Sequence, residues 1–406
     1  MSSGINCMSC FRFTLPPRSE ESCILFIGEN ILILMKKKIV VLGCTGSIGK
    51  STLKIIDEFS DLFQVVGLTA HSNKNQLEEL SKKYNCKNIC LSNPNADGVE
   101  GIKKVISTSK ADICVNGIAG AAGLLPSIYT LENGINLALA NKETIVMASH
   151  IVYELAAKNN CKILPVDSEH SAIFNLVEKF GKESIESVVL TASGGPFRTF
   201  TKEQLNKVTV EDALKHPTWN MGQKITIDSA TLANKALEVI EAVKLFGVPA
   251  SKVEVTIHPQ SLVHSLIRTK DGVLYSQMSH PDMCHPILSA LTWPDFTKSS
   301  LPPLDLSNNP VENPLTCTFA KPDLEKFPML ALGFKAASLG NAYPIAFNAA
   351  NEIAVEAFIN HKVGFYDISR ITENVLNKDW SRLPVTYNEV LLFDSMAREF
   401  AKEQLC

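Results

Sequence analysis

The 406-residue sequence has no marked excess of either charge and no uninterrupted run of eighteen apolar residues. Lysine and arginine total 39 and aspartate and glutamate total 42, which gives a formal net charge of −3. Nucleic-acid-binding proteins normally carry a basic domain or stripe, so no nucleic acid is expected as a partner. A membrane-spanning helix needs about 20 predominantly apolar residues, so no membrane partner is expected either. The composition favours an enzyme that acts on a small molecule.

A disulfide framework is also not indicated. The eleven cysteines are odd in number and scattered from Cys7 to Cys406, which favours a reducing compartment. Cys7 and Cys10 form a lone C-x-x-C pair with no second pair at zinc-site spacing. Residues 1–34 lack the features of a secretory signal or an organelle transit peptide. We therefore expect a cytoplasmic protein whose first 34 residues are a disordered extension or an artefact of an upstream start.

A glycine-rich turn follows the first strong strand pattern. The strand covers Ile39–Gly43, and glycines at 43, 46 and 49 lead into a helix that reaches about Glu58. Glycines in such a turn allow a pyrophosphate to approach the backbone at a helix N-terminus, although tight turns also favour glycine for their own sake. Helical stretches separate further apolar strands, which predicts a doubly wound parallel sheet. These strands are Val65–Ala70, Asn88–Leu91, Asp112–Gly117 and Asn136–Ala140.

The end of the second strand bears on the choice of nucleotide. An NAD-binding domain usually places an acidic residue there, but this chain has Ser72, Asn73 and Lys74. These side chains can hold a 2′-phosphate, which favours NADP(H). The alternative is that they only cap the next helix.

Two acidic residues lie where another strand ends. Ile163–Val166 is followed by Asp167, Ser168 and Glu169. Carboxylates at positions i and i+2 can converge on one cation, and oxygen ligands favour Mg²⁺ or Mn²⁺ over zinc. Glu238 is the candidate third ligand. A capped helix N-terminus is the alternative explanation.

The segment from His216 to Glu241 carries the densest set of reactive side chains. Helical periodicity places Asn234, Lys235, Glu238 and Glu241 on one face, opposite an apolar face. Ser229 is expected where this helix begins, near free N–H groups that suit a phosphate. A solvated face with paired charges is the alternative.

The loop before this helix contains His216, Trp219 and Met221. It is expected to close over the ligand as a hinged lid. The alternative is that Trp219 only anchors the loop by packing. Earlier in the chain, a strand from Glu186 ends in a Ser193-Gly-Gly turn that offers a hydroxyl and N–H groups to an anion.

Six motifs in consistent order resemble the 1-deoxy-D-xylulose 5-phosphate reductoisomerase family, from about Lys36 to the C-terminus. They cover residues 43–49, 140–143, 166–171, 192–198, 216–222 and 228–235. The resemblance implies NADPH- and divalent-metal-dependent isomerisation and reduction of 1-deoxy-D-xylulose 5-phosphate to 2-C-methyl-D-erythritol 4-phosphate. It also implies a homodimer.

The resemblance implies roles for individual residues as well. The metal ligands would be Asp167, Glu169 and Glu238, and these three with Lys142 and His216 would form the catalytic set. Cofactor-binding residues would be Thr45, Gly46, Ser47, Ile48, Ser72, Asn73, Asn141, Glu143 and Gly222. Substrate-binding residues would be Lys142, Ser168, Glu169, Ser193, His216, Trp219, Met221, Ser229, Asn234, Lys235 and Glu238.

The expected fold class is α/β, with a Rossmann-like NADPH-binding domain, an α+β catalytic domain and a C-terminal helical bundle. Residues 253–278 are expected to add strands and a hairpin to a second sheet. The predicted divisions after the extension are 35–165, 166–293, a linker at 294–318, and 319–406.

Two other functions fit the same residues. A metal-dependent aldolase or lyase with a structural nucleotide fold would convert a sugar phosphate without consuming NADPH. A non-catalytic nucleotide-binding regulator would have little use for three clustered carboxylates.

Overall fold

A computed structural model describes residues 22–27, 30–219, 221–307 and 314–405, with side chains from residue 35 onward. The interpretations of residues 1–21 and of the Cys7–Cys10 pair lie outside this part. Ser22–Ile27 and Asn30–Met35 pair as an antiparallel ribbon, whereas the sequence favours disorder there. The isoleucines and the phenylalanine of these two runs have high strand propensity, which favours the pairing.

The strands of the described chain alternate with helices through the first half. In chain order they are β1 (Ser22–Ile27), β2 (Asn30–Met35), β3 (Lys37–Leu42), β4 (Phe63–Ala70), β5 (Ile89–Leu91), β6 (Ile113–Asn116), β7 (Asn136–Leu139), β8 (Ile163–Pro165), β9 (Ile185–Ala192), β10 (Val253–Ile257), β11 (Val263–Thr269) and β12 (Leu274–Met278).

The helices become dominant towards the C-terminus. They are α1 (Ser47–Glu58), α2 (Lys74–Lys83), α3 (Gly98–Ser109), α4 (Leu124–Glu132), α5 (Lys142–Lys158), α6 (Ser168–Phe180), α7 (Lys202–Leu205), α8 (Val210–Ala213), α9 (Gln223–Thr231), α10 (Ala233–Phe246), α11 (Cys284–Thr292), α12 (Pro328–Leu339), α13 (Tyr343–Ile359), α14 (Phe365–Leu376) and α15 (Tyr387–Glu403).

The first sheet confirms the predicted doubly wound parallel architecture. Its strand order is β5-β4-β3-β6-β7-β8, and every pairing is parallel. Ile39, Val40, Val41 and Leu42 are fully buried, as expected for a strand covered on both faces. The order reverses between β3 and β6, and ligands of such sheets bind outside the strands' carboxyl ends at this switch point. The glycine-rich turn follows β3 at that position.

The second sheet has the order β10-β9-β11-β12. Strands β9 and β10 are parallel, and the remaining pairings are antiparallel. The predicted hairpin is present as β11 and β12, with a turn at Gly272, where φ is +86°. Helix α6 starts at the end of β8 in the first sheet and packs against β11 of the second. The carboxyl ends of β8 and β9 therefore face a common space.

Helix α10 is central to the largest apolar core. Ala236, Val239 and Ile240 are fully buried, and α12 and α5 both pack against this helix. The four C-terminal helices α12–α15 belong to the same continuous core as α5 and α10. They therefore complete the packing behind α10 instead of enclosing a core of their own. The described residues of the predicted linker contain no helix or strand.

Two remaining expectations concern whole-chain properties. Within the described residues, no helix has both the length and the apolar content to cross a bilayer. Seven cysteines have described side chains, and all of these are free, six of them buried.

Candidate active site

A cleft of about 330 Å³ lies between the carboxyl ends of the two sheets. This volume is within the range of small-molecule sites. Most of the predicted site residues line the cleft, and they come from the glycine-rich turn, the ends of β7 to β9, the predicted lid, α9 and α10. These residues are Ser47, Ile48, Lys142, Asp167, Ser168, Glu169, Ser193, His216, Trp219, Met221, Ser229, Asn234 and Lys235.

Three carboxylates form a compact trio at the floor of the cleft. One oxygen atom from each of Asp167, Glu169 and Glu238 lies within 4.8 Å of the others. Asp167 and Glu169 line the cleft, whereas Glu238 is fully buried beneath it. Burial, together with the negative charges of the other two, raises the pKa of Glu238 to about 8. A trio of oxygen ligands with mutually repelling charges fits a hard divalent cation such as Mg²⁺.

Two buried ammonium groups lie against this trio. Lys142 forms an ion pair with Asp167, and its Nζ atom is 3.7 Å from Glu238 Oε1. Lys235 pairs with Glu238, and its Nζ atom is 3.2 Å from Glu169 Oε1. Burial alone would lower the pKa of each lysine, but the carboxylates outweigh it and raise both values. The two ammonium groups offset the charges of two carboxylates, so ionisation of the third, Glu238, adds a negative charge that a bound cation would balance.

Asp167 both caps helix α6 and faces the cleft. Its Oδ1 atom accepts hydrogen bonds from the backbone N–H groups of Glu169 at 3.1 Å and His170 at 3.2 Å. The second oxygen, Oδ2, is the one that meets Lys142. The cap orients the carboxylate, so the capping and metal-ligand interpretations are compatible.

His170 is a buried residue that supports the trio. It lies in the 166–171 motif, but the sequence did not assign it a role. Its Nδ1 atom lies 3.1 Å from Asp167 Oδ1 and 3.4 Å from Glu241 Oε2, and Nε2 lies 3.1 Å from the Glu238 carbonyl oxygen. Burial alone would lower the pKa of His170, but Glu241 and then Asp167 raise it to about 9. A protonated imidazole can donate from both nitrogens and thereby hold two parts of the trio. Its spacing of three residues from Asp167 on a helix is the signal that could have identified it.

His216 joins the predicted lid to the two serines. Its Nδ1 atom accepts hydrogen bonds from the N–H groups of Thr218 at 3.1 Å and Trp219 at 2.9 Å. The proton of the neutral ring is therefore on Nε2, which lies 3.2 Å from Ser193 Oγ and 3.0 Å from Ser229 Oγ. Burial and the positive charge of Arg198 lower the pKa of His216, which favours this neutral form.

The prediction that Ser229 begins the long helix is wrong. Ser229 lies in the last turn of α9, and α10 begins at Ala233. Leu232 separates the two helices by adopting a left-handed conformation with φ of +62°. This break turns the chain so that Ser229 and the start of α10 meet at one corner of the cleft. The free N–H groups expected at Ser229 are therefore not there, and its contribution is its hydroxyl group.

The alternative of a solvated face on α10 does not hold. The side chains of Lys235, Glu238 and Glu241 are 5% exposed or less. The polar face of this helix is instead the floor of the cleft, and its apolar face packs on the helical core.

Gly195 allows the serine turn to approach α9. Its φ is +67°, and a Cβ atom there would lie 2.6 Å from the Ser229 carbonyl oxygen. Gly272 has a comparable φ of +86° but no atom within 4 Å of such a Cβ. We expect Gly195→Ala to unfold at lower denaturant concentration than Gly272→Ala. The Gly272→Ala variant should lose only about 1–2 kcal/mol of unfolding free energy, because alanine is unfavourable in a left-handed conformation. Gly195→Ala should also raise KM for the substrate, because Ser193 and Ser229 separate.

Urea unfolding and steady-state kinetics on both variants test this comparison. Equal destabilisation by the two alanines, with KM unchanged in each, would contradict the close approach.

The cofactor side is only partly brought into the cleft. Ser47 and Ile48 line it, whereas Thr45 and Gly46 lie in the same turn without lining it. Ser72 and Asn73 are exposed beyond the end of β4, and Asn73 Oδ1 accepts a hydrogen bond from Gln76 N at 3.2 Å. Asn73 thus caps α2, as the alternative interpretation proposed, and the 2′-phosphate role of this segment stays a prediction.

Asn141, Glu143 and Gly222 also lie outside the cleft lining. The first two are buried, and Asn141 Nδ2 donates to Glu143 Oε2 at 2.9 Å. Gly222 is the exposed N-cap residue of α9. Their cofactor-binding roles remain predictions.

Several lining residues were not found from the sequence. Ser51 extends the glycine-rich face along α1, and Ser261 and residues 281–283 also line the cleft. These residues carry no motif and reach the cleft only through tertiary packing. The remaining additions are Ala140, Ala192, Gly194, Ile225 and Leu232.

Comparisons with known proteins show which family this chain is similar to. The family model for 1-deoxy-D-xylulose 5-phosphate reductoisomerase matches residues 39–97 and 91–149. The model for the C-terminal domain of that enzyme matches residues 163–246, and a further DXP reductoisomerase C-terminal domain matches residues 278–400.

Two curated relatives carry the name 1-deoxy-D-xylulose 5-phosphate reductoisomerase. The protein of Treponema denticola is 49% identical over 372 residues, covering 90% of this chain and 96% of the relative. The protein of Treponema pallidum is 47% identical over 368 residues, with coverage of 90% and 96%.

Two solved structures have the same fold over nearly their whole length. The 1-deoxy-D-xylulose 5-phosphate reductoisomerase of Zymomonas mobilis in complex with NADPH has a TM-score of 0.82 and 36% identity, covering 91% of this chain and 99% of its own. A DOX-P reductoisomerase in complex with NADPH, fosmidomycin and magnesium has a TM-score of 0.84 and 37% identity, with coverage of 91% and 98%.

Proposed function

The chain belongs to the 1-deoxy-D-xylulose 5-phosphate reductoisomerase family, and from this premise we propose that the cleft between the two sheets is its active site. The protein is an NADP-dependent oxidoreductase of isoprenoid biosynthesis. It converts 1-deoxy-D-xylulose 5-phosphate to 2-C-methyl-D-erythritol 4-phosphate with NADPH and a divalent cation. The residue assignments below are our proposals for how this chain performs that reaction.

The carboxylate trio is the observation that carries the site assignment. We assign Asp167, Glu169 and Glu238 as the ligands of the divalent cation, because their oxygens converge within 4.8 Å at the floor of the cleft. Bound there, the cation supplies Lewis acidity and a template for the carbonyl and hydroxyl oxygens of the substrate. His170 orients Asp167 through the contact between its Nδ1 atom and Asp167 Oδ1. Ser168 lies beside the trio and is assigned to a substrate hydroxyl.

The phosphate end of the substrate is assigned to the corner formed by the serine turn and the break between α9 and α10. Ser193 and Ser229 present hydroxyl groups there, and neutral His216 can donate from Nε2. Asn234 and Lys235 line the same cleft from the first turn of α10. Hydroxyl, amide and ammonium donors together suit a phosphate group. This end lies next to the trio because Lys235 contacts both Glu169 and Glu238.

The lid and the cofactor face complete the site. NADPH supplies the hydride, and Ser47 and Ile48 are assigned to its phosphates at the start of α1. Trp219 and Met221 line the cleft from the loop before α9, where they can cover the substrate and exclude water. Lys142 lines the cleft, and the carboxylates beside it raise its pKa, so we assign it as a hydrogen-bond donor to a substrate oxygen.

Four further features are also proposed. An all-oxygen ligand set accepts Mn²⁺ as well as Mg²⁺. The free cysteines suit a reducing cytoplasm. The family resemblance supports a homodimer, which light scattering on the purified protein tests. The divisions at residues 165/166, 293/294 and 318/319 are proposed as the domain boundaries.

Titration with Mn²⁺, followed by electron paramagnetic resonance of the free ion, tests the metal site. We expect one Mn²⁺ bound per chain, displaced by Mg²⁺, because the three carboxylates form one cluster. Exposed acidic residues elsewhere bind only weakly and should not saturate in the same range. Absence of a saturable site, or two equivalent sites, would contradict the assignment.

A further inference from the structure

A buried row of polar contacts connects helix α13 to the Asn141-Lys-Glu turn. Asn351 Nδ2 donates to Asp228 Oδ1 at 2.8 Å, and Lys224 Nζ donates to Asp228 Oδ2 at 2.8 Å. The same Lys224 Nζ lies 3.1 Å from Glu143 Oε1, and Asn141 Nδ2 donates to Glu143 Oε2 at 2.9 Å. Asn351, Asp228, Glu143 and Asn141 are all buried. Contacts from α9, α5 and α13 thus form one continuous network.

The network borders the cleft at two places. Lys142 lies between Asn141 and Glu143 in sequence and reaches the carboxylate trio. Lys224 lies in the first turn of α9, two residues after Gly222 at the end of the lid. Asn351 itself does not line the cleft. It can therefore act on the reaction only through the residues that it holds.

Asn351 takes part in the network through its N–H donor group and not through its carbonyl oxygen. Its Nδ2 atom has the Asp228 carboxylate as its partner, whereas within the described residues its buried Oδ1 atom has no hydrogen-bond partner. Leaving a buried carbonyl oxygen unpaired is costly, so packing alone would favour an apolar residue of this shape. Asp228 shares the single ammonium of Lys224 with Glu143, and the amide of Asn351 supplies the additional donor that the second carboxylate needs.

A second contact from α13 reaches the same turn. Glu352 Oε1 accepts a hydrogen bond from Ala121 N at 2.9 Å, in the loop that follows β6. Asn141 Nδ2 donates to the carbonyl oxygens of Ile118 and Gly120 in that loop, each at 2.8 Å. Helix α13 therefore contacts both α9, which follows the lid, and the loop beside the Asn141 turn.

We propose that Asn351 is a positioning residue for the reaction. Through Asp228 and Lys224 it fixes the first turn of α9, where the lid ends, relative to the turn that carries Lys142. The inference rests on the proposed roles of Lys142 and the lid. Helix α13 is thereby a support for the active site as well as part of the helical core.

Steady-state kinetics of Asn351→Leu, with Mg²⁺ and NADPH present, tests the proposal. Leucine keeps the branched shape of asparagine and removes the donor, so we expect kcat to fall about tenfold, with KM for NADPH changed less than about threefold. Thr372→Val is the matched control, because Thr372 is fully buried on α14 and its hydroxyl donates only to Ile368 O of its own helix, at 2.8 Å. This control should keep the kcat of the original protein at a comparable melting temperature.

A double-mutant cycle separates positioning from general destabilisation. Asp228→Ala should lower kcat at least as much, and adding Asn351→Leu to it should cause no further loss, since alanine removes the carboxylate through which Asn351 reaches Lys224. If Asn351→Leu does not fold, Asn351→Ser provides the same test, because its hydroxyl is too short to reach Asp228.

Three results would overturn the proposal: unchanged kcat in the position-351 variant, an equal loss in Thr372→Val, or losses that multiply in the cycle. Absence of turnover in the unaltered protein would instead overturn the proposed function.

Discussion

Glu238→Gln should lower kcat by at least about 10³-fold, because it removes one carboxylate from the metal ligands and several kcal/mol of transition-state stabilisation with it. The variant should remain folded. Glutamine has the shape of glutamate, and Asp167 and Glu169 remain as partners for Lys142 and Lys235. Burial raises the pKa of Glu238 to about 8, so its ionised form is itself unfavourable in the metal-free protein.

NADPH oxidation at saturating substrate measures kcat of this variant, and Mn²⁺ titration measures metal affinity in parallel. Glu241→Gln is the matched control, since Glu241 lies one turn later on α10 and is also buried but is not one of the trio. The control should retain one saturable metal site. Full activity in Glu238→Gln would show that the ligand assignment is wrong.

Lys142→Met should lower kcat by about 10²–10³-fold, the usual cost of removing one positioned donor at a reacting oxygen. Metal affinity should be kept or increased, because the ammonium of Lys142 pairs with Asp167 and lies 3.7 Å from Glu238 Oε1. A loss of kcat without a loss of metal affinity distinguishes a substrate-side donor from a ligand.

The same kinetic and Mn²⁺ measurements apply to this variant. Lys244→Met is the control, because Lys244 is a half-buried lysine near the end of α10 that does not line the cleft. It should leave both quantities within about twofold, the range expected of a substitution that touches no substrate or metal. Parallel losses of kcat and metal affinity in Lys142→Met would contradict the donor role.

The first sheet and much of the active site could be predicted because their signals are local. Apolar strands separated by helices define a parallel sheet, and functional residues at strand ends meet at one edge of it. Ser47, Lys142, Asp167 and Ser193 all follow strands and all line the cleft. Their convergence follows from topology, without knowledge of individual contacts.

The errors arise where the backbone departs from a regular pattern. A left-handed Leu232 divides one apparent helix into α9 and α10, and a leucine carries no sequence signal for that conformation. Periodicity separates the two faces of α10 correctly, but it cannot tell that the polar face with Glu238 is buried. That burial results from residues distant in sequence, since Lys142 contacts Glu238 and His170 contacts Glu241.

Tertiary contacts account for the residues that the sequence did not reveal. Pro281 and Met283 reach the cleft because α11 packs beside α1 and α6. Asn351 meets Asp228 across 123 positions of sequence. No local pattern identifies such partners, and the continuity of the C-terminal helices with the α10 core is missed for the same reason.

The most direct test of the central claim is NADPH oxidation by the purified protein given 1-deoxy-D-xylulose 5-phosphate and Mg²⁺, before and after excess chelator. We predict substrate-dependent oxidation that stops on chelation and returns when Mg²⁺ is added in excess. A folded, metal-loaded protein that oxidises no NADPH would contradict the account and favour a lyase or a regulator. Oxidation that continues unchanged in excess chelator would contradict the role of the carboxylate trio.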